Sequence, residues 1–84
     1  MTNHDSTRTS PLFGLAVECA GRLGKTQPSF AAQCIGVLSA APHRIRDHLA
    51  ALIIETMLPH LLPEDRGYVQ RRFEKLQQQA SFIA

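Results

Sequence analysis

Cysteine is scarce in this chain. Cys19 and Cys34 are the only two, and neither belongs to a CxxC pair or a Cys–His cluster. A small secreted scaffold held by disulfides usually carries more. Both thiols are therefore expected to be reduced core residues of a cytoplasmic protein. An excess of charge is lacking too. Nine Lys and Arg against seven Asp and Glu give a formal net charge of +2. By itself that is too slight to argue for nucleic acid or an anionic membrane. The longest strictly apolar run, Leu49 to Ile54, falls far short of the roughly 20 residues that span a bilayer, so no membrane partner is expected. The opening stretch MTNHDSTRTS has no apolar core and does not read as a signal peptide. There is no β-alternation, internal repeat or low-complexity segment.

What the chain does have is helical patterning. Its 84 residues suit one domain, and a hydrophobic fraction of 44% argues against wholesale disorder. Residues 1–9 hold no apolar residue after Met1 and are expected to be a disordered tail. Residues 10–84 are expected to form a single helical domain. Its fold class is all-α: a small bundle of about four short helices around a central hub helix, with tight links between them.

The hub is placed at 42–58. Pro42 suits a first helical turn and Pro59 stops the helix. Ile45, Leu49, Leu52, Ile53 and Thr56 recur on one face, which is expected to point inward. Ser10-Pro11 reads as the N-cap and first residue of a helix over 11–22, with Leu12, Leu15, Ala16, Cys19, Ala20 and Leu23 on its inner face. Ser29 or Thr26 is expected to cap a second helix over 29–40, with Phe30, Cys34, Val37, Leu38 and Ala41 turned inward. Pro63-Glu64-Asp65 opens a last helix over 63–80, its two acids favoured by the helix dipole. Val69, Phe73, Leu76, Ala80 and Ile83 form its apolar stripe.

Motifs that carry chemistry are few. Ser, His and Asp occur, but a catalytic triad is defined by geometry rather than by composition. His43 and Asp47 lie four apart on the hub, and a metal site would need more ligands than these two. The expectation is no enzyme activity, no cofactor, no metal and no small-molecule substrate.

Two stretches suggest nucleic acid. Tyr68, Arg71, Arg72 and Lys75 share the polar side of the last helix, where a tyrosine among cations can stack on a base while the cations hold phosphate. Residues 32–49 carry Ala32-x-x-x-Gly36-Val37, then Arg44 and Arg46 near the start of the next helix. This resembles the turn region of a bacterial helix-turn-helix. Ile45 comes nine residues after Gly36, so the turn is lengthened relative to that family. The resemblance implies a small DNA-binding regulator with Arg44 and Arg46 at the start of its recognition helix.

Ile54 and Leu58 remain, four apart on the back of the hub. If no other helix covers them they form an exposed apolar patch, which marks an interface. The leading expectation is thus a regulatory interaction module that binds another protein or itself. Ile54, Leu58, Phe82 and Ile83 are the expected apolar contacts, with Arg71 and Arg72 at the rim. The alternative is the DNA-binding regulator, using Arg44, Arg46, Tyr68, Arg71 and Lys75.

Overall fold

The backbone of residues 10–83, with side chains through residue 79, is described by a computed structural model. The tail expected at 1–9 and the contacts expected of Phe82 and Ile83 lie outside the described residues. Among the described residues there are four α-helices and no strand: α1 Pro11–Leu23, α2 Pro28–Ala40, α3 Arg46–Met57 and α4 Pro63–Ile83. Single 3-10 turns, His43–Ile45 and Leu58–His60, flank α3.

Helix starts follow the prolines, with one shift. Ser10 caps α1: its Oγ accepts a hydrogen bond from the Phe13 N–H at 3.0 Å, and Pro11 fills the position where an N–H has no partner. α2 starts at Pro28 with Gln27 as its N-cap, and the Gln27 side chain makes no capping bond. Neither Ser29 nor Thr26 is that cap. Pro42 does not begin the third helix. It is extended, with φ −59° and ψ 145°, and regular α-helix starts only at Arg46. The Arg46 guanidinium reaches back to the Ala41 carbonyl at 3.3 Å and lies over the Phe13 ring at 5.0 Å. The segment before α3 is thereby folded onto α1.

α1 packs on all three other helices, and its contact with α3 is the most extensive. The centre of the bundle is the α1–α3 pair. Buried alanines on both helices, Ala16 and Ala20 on α1 and Ala50 on α3, let the axes approach closely. Leu15, Cys19 and Leu23 from α1 then share one core with Ala31, Cys34 and Leu38 from α2 and Ile53, Ile54 and Met57 from α3. Leu61, Val69 and Phe73 complete it.

This packing turns α3 away from part of its expected orientation: Ile53 is buried as expected, but Thr56 is exposed. Ile54 is fully buried, whereas Ile45 and Leu52 are 44% and 59% exposed and Leu49 is half-buried. α3 carries apolar residues on two faces, and the face with Ala50, the one that permits close approach to α1, goes inward. The same kind of correction applies on α2, where Val37 is exposed and Ala31 is buried instead. On α4, Val69 and Phe73 are buried as the pattern implies, and Leu76 packs at the edge of the core.

Candidate interaction face

Two constellations of side chains stand out, one polar and internal, one apolar and exposed. The polar one joins the end of α1 to the start of α4. Asp65 is only 5% exposed. Arg22 Nη1 donates to its Oδ1 at 2.7 Å and Lys25 Nζ donates to its Oδ2 at 3.1 Å. Arg22 also donates from Nη2 to Glu18 Oε2 at 3.1 Å. The Arg22 guanidinium lies 4.3 Å from the centre of the Tyr68 ring. Arg72 lies 5.6 Å from the same ring, and its Nη1 donates to the Tyr68 hydroxyl at 3.0 Å. Hydrogen bonds from Arg22, then from Lys25, hold the Asp65 carboxyl below the usual aspartate range. Asp65, then Glu18, raise the Arg22 pKa above its ordinary value. Both carboxylate oxygens of Asp65 are occupied by cations of its own chain, so this cluster works as a clamp between helices.

The clamp redefines several residues read from the sequence. Asp65, read from the sequence as an answer to the helix dipole, is paired instead with Arg22 and Lys25. Their pairing across the bundle has no local signal. Tyr68, expected to be free to stack on a base, is flanked by Arg22 and Arg72 of its own chain. Arg46 is half-buried and bonded to Ala41. Arg44, Arg71, Arg72 and Lys75 are exposed, and a shallow open groove runs between Arg72, Lys75 and Leu76.

The remaining polar candidates have structural surroundings. His60 meets the edge of Phe30, with ring centres 5.2 Å apart, and its Nδ1 is 3.5 Å from Gln27 Nε2. His43, Asp47 and His48 are exposed. Among the described residues, no three of His, Cys, Asp and Glu gather as metal ligands would. Cys19 and Cys34 are free and buried. Burial, then the neighbouring Cys34, pushes the Cys19 thiol up to about 12, and burial also raises Cys34. A thiol in that state is a small apolar side chain rather than a nucleophile.

The exposed constellation lies on α3 and the turn before it. Ile45, in that turn, and Leu52 and Thr56, on α3, are exposed, and Leu49 between them is half-buried against the core. The Thr56 hydroxyl donates to the Leu52 carbonyl at 2.9 Å, so that donor is already satisfied within the helix. Arg44, His48 and Glu55, all exposed, border the stripe on one side. The sequence pattern identified these apolar residues but assigned them to the core. It assigned Ile54 and Leu58 to a contact surface, and the structure corrects that: Ile54 is inside, and Leu58 is half-buried against the core. No family model, curated protein or solved structure matches the chain. No helix among the described residues is long and apolar enough to cross a membrane.

Proposed function

We propose that this chain is a small, non-enzymatic interaction module that binds protein through the outer face of α3, in a regulatory role in the cytoplasm. The observation that carries this reading is the exposure of Leu52, 59%, on the same face as Ile45. A large side chain left in water while the alanines of the same helix are buried forgoes about 1.5–3 kcal/mol of burial. Large apolar side chains left exposed near one another are a feature of interaction sites. Two buried, unpaired thiols fit a reducing compartment.

The DNA-binding reading has less support. Arg46 and Tyr68, two of its five residues, are engaged within the fold. The outward face of the would-be recognition helix presents Ile45 and Leu52, which have nothing to offer phosphate. Steep loss of binding with rising salt is the mark of phosphate contacts, and an apolar contact should survive such a rise.

The test is capture of a binding protein from the native cell extract by the parent and by Leu52→Asp, with the melting temperature of each measured alongside. The reading expects capture by the parent, its retention at raised salt, and its loss in a Leu52→Asp variant that melts like the parent. Equal capture by both would overturn it.

A further inference from the structure

We infer that the α3 face recognises a second copy of this chain, with the two α3 helices antiparallel about a two-fold axis. The inference rests on the interaction-module reading and names its partner. The order of residues along the face carries it. Ile45, Leu49, Leu52 and Thr56 repeat in alternating steps of four and three, the spacing of a helix–helix seam, with Ile45 in the turn that leads into α3 and Leu49 half-buried at its inner edge. Two such seams laid antiparallel place Ile45 of one copy against Thr56 of the other and Leu49 against Leu52. By symmetry, each of these contacts occurs twice.

The charges beside the seam select the direction. Arg44 and His48 flank its beginning and Glu55 flanks its end, and all three are exposed. In the antiparallel pairing, Glu55 of each copy comes opposite Arg44 and His48 of the other. A parallel two-fold pairing would send the two borders to opposite sides of the seam, where Glu55 of one copy meets neither Arg44 nor His48 of the other. α3 and the turn before it thus carry an apolar strip and a border that is self-complementary only when one copy is reversed. A contact along one helix of this length belongs at the small end of protein interfaces, so the pairing is reversible and depends on concentration.

The experiment is sedimentation equilibrium of the full chain over a concentration series, for the parent, Leu52→Asp, R44E, E55R and the double variant R44E/E55R. The parent should pass from monomer to dimer, and Leu52→Asp should remain monomeric while melting like the parent. R44E and E55R should each weaken the dimer several-fold, because each puts like charges opposite one another. The double variant restores opposite charges and should recover most of the lost affinity. The melting temperature of each single variant, measured alongside, shows that it is folded. A parent that stays monomeric at every concentration would overturn the inference. So would a dimer indifferent to Leu52→Asp, or one that the double variant fails to rescue. If the parent is monomeric and Leu52→Asp still abolishes capture from extract, the face binds a different protein, and only the self-pairing falls.

Discussion

Arg22 and Asp65 lie 43 positions apart in the chain and meet at 2.7 Å, with the aspartate almost wholly out of water. This pair, with Lys25 on the other carboxylate oxygen, fixes the start of α4 against the end of α1. Asp65 is the buried partner, so removing its cations leaves a buried carboxylate uncompensated.

The clamp therefore carries a pH signature. The folded chain holds the Asp65 pKa below its ordinary value, which is about 3.9 in an unfolded chain. Near and below that value the unfolded state binds the proton more readily than the folded state. The stability from this group is thus fully present above the ordinary aspartate pKa and is lost as pH falls through it toward the folded value. Thermal melts from about pH 7 to pH 3 should show the parent losing stability more steeply below about pH 4.5 than Asp65→Asn does. At neutral pH, Asp65→Asn should melt lower than the parent. Identical pH profiles would mean that the pair contributes nothing.

The two faces of α3 should separate cleanly in stability. Ile54 is fully buried, so Ile54→Ala should cost about 2–5 kcal/mol and lower the melting temperature by about 10 °C or more. Leu52→Ala changes an exposed side chain and should stay within about 0.5 kcal/mol. Calorimetry of the two variants checks this, and the reverse order would place the core on the wrong side of the helix.

The thiols should be inert while the chain is folded. With Cys19 pushed up to about 12 and both cysteines buried, reaction with an aromatic disulfide reagent at about pH 8 should be slow and should quicken as denaturant opens the core. Rapid stoichiometric modification in native buffer would contradict the packing of α1 against α2.

Gly36 lies in the interior of α2 with φ in the ordinary negative range, and a Cβ built there meets nothing within 4 Å. Gly36→Ala should therefore stabilise the domain by about 0.5–1 kcal/mol, by favouring the helix and narrowing the unfolded ensemble. A lower melting temperature for this variant would mean that the position is not open.

Much of this fold was legible because local signals agreed. On α1, the residues spaced for one face, Leu15, Ala16, Cys19, Ala20 and Leu23, are the ones buried. Pro11 and Pro63 stand at the first positions of their helices. α3 was legible as a helix but not in its orientation. Ile45, Leu49 and Leu52 compete with Ile54 and Met57, while Ile53 lies between the two faces and is buried as expected, and periodicity alone cannot rank two apolar faces. The choice depends on which face fits Ala16 and Ala20 of another helix, and that is a tertiary fact. The same limit hid the clamp: Glu18 and Arg22 pair four residues apart on α1, but Arg22 and Lys25 reach Asp65 only when α1 and α4 meet. The candidate surface was thus legible as an apolar excess on the third helix, while its residues were not.

The account turns on which face of α3 is free, and one paired measurement tests that most directly. Leu52→Asp and Ile54→Asp place the same charge two residues apart on the same helix, and each is assayed for melting temperature and for association with the partner of the parent chain. The account predicts that Leu52→Asp melts like the parent and loses association, and that Ile54→Asp fails to fold, because it puts a carboxylate where a fully buried side chain stood. A folded Ile54→Asp that loses association, beside a Leu52→Asp that keeps it, would contradict the account and return the contact surface to Ile54 and Leu58.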